Sequence, residues 1–118
     1  MRQRLRRLRR EVQRELRFDD TESSETPADV DARAVAIVGD FASELPRIRA
    51  LLDSDIRAAF DGDPAAKSLD EVVFCYPGVA AMIRHRLAHR LYVLGVTMLA
   101  RIIAEIAHAE TGIDIHPG

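Results

Sequence analysis

Two aspartates and three histidines are the residues of this chain whose types and spacing could do chemistry. Asp63 stands immediately before Pro64, while Asp114 and His116 stand two apart in Ile113-Asp114-Ile115-His116. An Asp followed by Pro at the first helical position is a common helix start, so the plainest reading of Asp63 is an N-cap. On a strand, Asp114 and His116 share one face about 7 Å apart, and Asp114 reads most simply as an outward polar residue. His85 and His89 are four apart, a spacing that sets two imidazoles on one helical face and binds zinc when further ligands join. The residues between them, Arg86, Leu87 and Ala88, lack the glutamate of an H-E-x-x-H motif. The pair is therefore read as packing and hydrogen-bonding groups, and no metal site is expected. His108 reads as solvated at a helix end. Cys75, with no base placed for it, reads as a buried small residue rather than a nucleophile.

The elements that must carry these residues are helices. Leu5, Leu8, Val12 and Leu16 recur at helical spacing among arginines, so residues 1–17 form a basic, helix-capable arm. Residues 18–31, acidic, rich in Ser and Thr and interrupted by Pro27, read as a flexible linker. Asp29 or Asp31 is placed to cap a helix whose apolar face is Ala34, Val35, Ile37, Val38 and Phe41. Ser43 and Pro46 then predict a fresh helix start. Beyond it Ile48, Leu51, Leu52, Ile56, Ala59 and Phe60 give the clearest amphipathic pattern, which ends at Asp61-Gly62. Ser68-Leu69-Asp70-Glu71 has the spacing of a capping box before Val72, Val73 and Phe74, and Tyr76-Pro77-Gly78 breaks that element. A longer helix follows with Val79, Met82, Ile83, Leu87, Leu91 and Leu94 inward and Gly95 as its C′ residue. The next runs from Val96 to about Glu110, with Met98, Leu99, Ile102, Ile103 and Ile106 apolar and Gly112 beyond. Helical domain 32–112 thus leads to a different period at 113–118, apolar and polar in alternation, which reads as a first strand cut at the threshold of a β-domain.

Composition bounds the function. At 118 residues, 47% hydrophobic and 31% charged, the chain fits one folded domain. Aromatics are 5% with no Trp, so the core must be Leu, Ile, Val and Ala. A net charge of −2 argues against a whole-domain nucleic-acid binder, although Arg2, Arg4, Arg6, Arg7, Arg9, Arg10, Arg14 and Arg17 crowd the start. That run reads first as a solvated tail; contact with an anionic partner or docking on an acidic surface are the alternatives. A single cysteine precludes a disulfide within one chain and fits a reducing compartment. No apolar run approaches the roughly 18 residues that span a bilayer, and no apolar h-region follows the arginines. The expected location is cytoplasmic.

Three segments together carry a resemblance. They are Asp63-Pro64-Ala65-Ala66-Lys67-Ser68, then CYPGVAAMIRHRLAHRLYVLG at 75–95, then Glu110-Thr-Gly-Ile-Asp-Ile-His-Pro-Gly118. In this order and with these gaps they resemble the D-P-A segment, the H-R-(I/L)-x-H helix and the G-I-(D/E)-I-H-P entry of the serine O-acetyltransferases, especially their shorter bacterial branch. The resemblance runs from about Leu51 to Gly118. It implies a mainly α fold: an N-terminal helical domain ahead of a left-handed parallel β-helix, of which residues 113–118 would be the first strand. It also implies acetyl transfer from acetyl-CoA to L-serine, the entry to cysteine biosynthesis. Asp63 matches the aspartate that holds the substrate serine. Asp114 matches the aspartate that orients a catalytic histidine, which would lie in a later coil. His116 is assigned only as a pocket residue. The acetyl-CoA site lies in the β-helix in that family, so no cofactor is expected on these residues and activity of the chain alone is not expected. The implied partners are further copies, as a trimer or dimer of trimers, and the O-acetylserine sulfhydrylase that uses the product. The rival reading is a non-catalytic helical oligomerisation or interaction module.

Overall fold

The computed structural model describes residues 2–19 and 24–118, and all of its regular structure is helical. The elements are α1 (Arg2–Asp19), α2 (Pro27–Gly62), α3 (Leu69–Cys75), α4 (Pro77–Val93) and α5 (Thr97–Thr111). At 1.5 Å per residue the 36 residues of α2 make a rod of about 54 Å. That rod sets the 58 Å long axis of the molecule. The radius of gyration is 16.5 Å, against about 13–14 Å for a compact domain of this length.

The helices reach further into 18–31 than composition predicts. Phe18 and Asp19 close α1, and Pro27 already lies in α2; residues 20–23 of the expected linker lie outside the described residues. The cap of α2 is Thr26 rather than Asp29 or Asp31. Its Oγ1 accepts from the Asp29 amide at 3.2 Å while the Asp29 carboxylate accepts from the Thr26 amide at 3.1 Å, a reciprocal capping box. Pro46 likewise does not restart a helix: it sits inside α2. A proline there forgoes one backbone hydrogen bond and costs about 3 kcal/mol. The continuous buried seam Val30, Ala34, Val38, Phe41 and Ile48 runs across it and offsets that loss.

The core joins four helices. Val12 and Leu16 of α1, Val30, Ala34, Val38 and Phe41 of α2, Ala88 and Leu91 of α4, and Ala100 of α5 form one buried cluster with Val96. Residues 1–17 are thus not a solvated tail; their apolar stripe docks while most of the arginines stay exposed. Helices α4 and α5 are joined by Gly95, whose φ of +88° lies in the left-handed region open to glycine. The Val96 amide donates to the Leu91 carbonyl at 2.9 Å and the Gly95 amide to the Tyr92 carbonyl at 3.0 Å, the two bonds of a Schellman motif. On α5 the inward face is Ala100, Ala104 and Ala107, whereas Met98, Ile102 and Ile106, expected to be apolar contributors, are exposed. Small side chains let α5 approach α4 closely, and the large ones are turned out. Cys75 is exposed, not buried.

The start of α5 is capped from outside its own sequence. Its N-cap residue, Val96, has no side-chain acceptor, and the first-turn amides need one. The carboxylate of Glu15, on α1, accepts from the Leu99 amide, and the residue is only 5% exposed. Burial pushes the Glu15 carboxyl above its usual range, against the lowering effect of the Leu99 and Met98 amides. The folded state therefore binds this proton more tightly than the unfolded chain. Its contribution to stability is full below the unfolded carboxylate value and is lost as pH rises through the raised folded one. Glu15→Gln keeps an acceptor but not the charge, so urea unfolding should show the variant gaining on the wild type from pH 4.5 to pH 7. A gap that moves toward the wild type over that range contradicts this.

Residues 113–118 leave α5 through Gly112, with φ +71°, and run on without strand hydrogen bonds. The expected strand is not formed, because a ladder needs a neighbouring strand and none lies alongside among the described residues.

Candidate active site

Asp63 sits at a corner. It closes α2, and residues 64–67 form a turn rather than a helix, so it is not the N-cap the Asp-Pro pair suggests. Its Oδ1 accepts from the Ala65 amide at 2.9 Å, and the Ala66 amide donates to its carbonyl at 3.1 Å. Its Oδ2 accepts from the Tyr76 hydroxyl, which reaches in from the boundary between α3 and α4. The Tyr76 bond, with help from the Ala65 amide, holds the Asp63 carboxyl below the usual range; the same bond pushes the Tyr76 hydroxyl up to about 12. The result is an exposed, ionised carboxylate fixed in direction by two donors. It is suited to pairing with an ammonium group.

α3 is placed by the signal read in the sequence. Ser68 caps it by accepting from the Glu71 amide at 3.1 Å, while the Glu71 carboxylate accepts from the Lys67 amide at 3.2 Å. The α2–α4 contact that holds this corner includes a fork that the sequence reading missed. Arg86 donates to Asp55 through Nε at 2.6 Å and a terminal nitrogen at 2.8 Å, both groups half-buried. The Arg86 bond keeps Asp55 below its usual range. Only the position of Asp55 and Arg86 on facing helices identifies them; neither residue is marked by local spacing.

Asp114 and His116 line a recess of about 430 Å³ with Arg101, Glu105, Ala104, Ile115 and Pro117. Both are exposed, and Asp63 is not among the lining residues. The fold therefore brings Asp114 and His116 into one recess and leaves Asp63 outside it. The segment is pinned at two points. His89 donates from Nδ1 to the Pro117 carbonyl at 2.9 Å, and the His116 ring lies edge-on to Tyr92 at 5.6 Å. The Gly118 amide donates to His116 Nδ1 at 3.0 Å, and a Cβ on Gly118 would come within 2.9 Å of the Tyr92 ring. His85 stacks on His89 at 6.0 Å, and burial lowers its affinity for a proton. This pair packs and hydrogen-bonds. Glu105, His108 and Asp114 each bring one ligand atom to within 4.8 Å of the others. Sequence reading set His108 aside as solvated, although a Glu-x-x-His step on a helix followed by Asp past a glycine turn is a legible signal.

No protein-family model matches the chain. Over 93 residues it is 59% identical to a plasmid serine acetyltransferase of Synechococcus elongatus, a match covering 79% of this chain and 29% of that protein. It is 58% identical over 64 residues to the serine acetyltransferase of Mycobacterium tuberculosis, covering 54% of this chain and 28% of the relative. Among solved structures, serine acetyltransferase isoform 3 of Entamoeba histolytica, crystallised with cysteine, superposes with a TM-score of 0.78 at 35% identity. That superposition covers 98% of this chain and 38% of the other. The chain thus spans about three-tenths of the length of the curated relatives it matches.

Proposed function

Because the chain belongs to the serine acetyltransferase family, as its N-terminal helical part, we propose that it supplies the serine side of an O-acetyltransferase active site. The reaction moves the acetyl group of acetyl-CoA to the hydroxyl of L-serine, giving O-acetylserine and CoA. Asp63 pairs with the ammonium group of serine and fixes its hydroxyl for attack. Asp114 orients a histidine that takes the hydroxyl proton and steadies the imidazolium that results. That histidine and the acetyl-CoA site belong to the β-helical part of the enzyme, and these 118 residues alone do not turn serine over. The observation that carries this reading is the Asp63 carboxylate, ionised and aimed by Tyr76 and Ala65 at the position that matches the family's serine-binding aspartate.

One variant tests it. In a chimera, this chain replaces the matched part of the Synechococcus elongatus relative, and Asp63→Asn is compared with the parent. The KM for serine should rise by about tenfold or more, with the KM for acetyl-CoA unchanged. An unchanged KM for serine sinks the assignment.

A second reading, a helical assembly module, is favoured by a specific observation. An apolar groove runs along the outer face of α5, lined by Met98, Ile102 and Ile106 and bounded by Asp19, Arg101 and Glu105. Exposed faces of this kind commonly mark protein contacts. It supports the expectation that the complete protein assembles as a trimer or dimer of trimers in the cytoplasm and docks the sulfhydrylase that consumes its product. The two readings are compatible.

A further inference from the structure

We propose that the C-terminal end of α5 is a zinc site formed by Glu105, His108 and Asp114. The three ligand atoms lie within 4.8 Å of one another and come from two elements, two successive helical turns and the segment after Gly112. The left-handed glycine is what folds that segment back: its φ of +71° turns the chain so that Asp114 returns beside the helix. Zinc holds carboxylate oxygens and imidazole nitrogens at about 2.0–2.2 Å, which sets tetrahedral ligands about 3.4 Å apart. Exposed side chains close that remaining gap by rotation alone, and the backbone need not move.

The electrostatics favour a cation. Two carboxylates converge at the end of a helix where the dipole is negative, an arrangement that repels anions and attracts positive charge. Neither carboxylate is hydrogen-bonded or ion-paired among the described residues. Arg101 lines the same recess but bridges to neither of them, and the nearby Glu110 is already paired, with Arg84. The imidazole decides the metal class. Two carboxylates alone would suit magnesium or calcium, whereas the histidine shifts preference toward zinc, with water completing the coordination. The rival histidine pair is engaged elsewhere, since His89 Nδ1 is committed to Pro117.

Titration of the chelator-treated 118-residue chain with zinc chloride in a calorimeter tests this. One zinc per chain should bind, His108→Ala and Glu105→Gln should each weaken it by roughly tenfold or more, and His89→Ala should not. Circular dichroism confirms that the variants fold, as expected for exposed positions. No zinc binding overturns the proposal. So does binding that survives both substitutions, and so does magnesium binding as tightly as zinc, which marks a generic acidic surface. None of these readouts depends on acetyl transfer, so the zinc site and the serine-side assignment fail separately.

Discussion

Asp114→Asn in the Synechococcus elongatus chimera should lower kcat by about 10²–10⁴-fold, the range over which a positioned acid–base pair accelerates a reaction. The argument is one of orientation. An imidazole must present a lone pair to the serine hydroxyl, and an aspartate behind it fixes that tautomer and offsets the charge that develops. Asparagine is nearly the same size but offers a donor where an acceptor is needed. Asp114 is exposed in the helical part, so the substitution should leave unfolding within about 0.5 kcal/mol of the parent. The acetyl-CoA KM should also hold. Kinetics run with a chelator present keep any metal at Glu105 and His108 out of the comparison. A kcat within about threefold of the parent would mean that Asp114 does not stand behind the base.

Leu91→Ala should cost the isolated chain about 2–5 kcal/mol, the largest loss expected from any single side chain here. Leu91 is 1% exposed and belongs to the one cluster that joins α1, α2, α4 and α5. It is also the residue whose carbonyl accepts the Val96 amide in the turn between α4 and α5, and Val96 is itself fully buried in the same cluster. Removing the side chain opens a cavity where four helices meet, which none of them can fill without giving up its own contacts. Against a total of about 5–15 kcal/mol for a domain, that is a large fraction. Leu91→Met, which conserves volume, should cost less than about 1.5 kcal/mol. Urea denaturation of both variants checks the pair. A loss under about 1 kcal/mol for alanine would place the centre of the core elsewhere.

What the sequence revealed was local. Gly95 and Gly112 end helices because only a left-handed residue can release the chain there, and each was legible as a glycine after an apolar run. Ser68 was legible as a cap three residues before Glu71, and the stripe Leu5, Leu8, Val12, Leu16 as a helical face. What escaped was set by distant partners. Pro46 continues a helix because a buried seam crosses it, and the inward face of α5 is alanine because α4 comes close. Nothing near Asp63 in the chain announces that the Tyr76 hydroxyl, 13 residues on, will hold its carboxylate. The site residues Asp63 and Asp114 were found by resemblance, and their bland readings as a cap and an edge-strand residue were the best that spacing alone supported.

The carboxylate of Glu15 on the Leu99 amide joins residues 84 positions apart. Helices α4 and α5, tied by a tight turn, can meet within one short loop closure, whereas this contact must wait for a long one. The chain-entropy cost of such a contact is met late in folding, so α1 is the piece that docks last. By the same reasoning it is the first to detach under stress, as a local opening that leaves the α4–α5 hairpin and the recess around Asp114 standing. Hydrogen exchange at the Leu99 amide would then record excursions of the amino-terminal helix, long before the rest of the molecule comes apart.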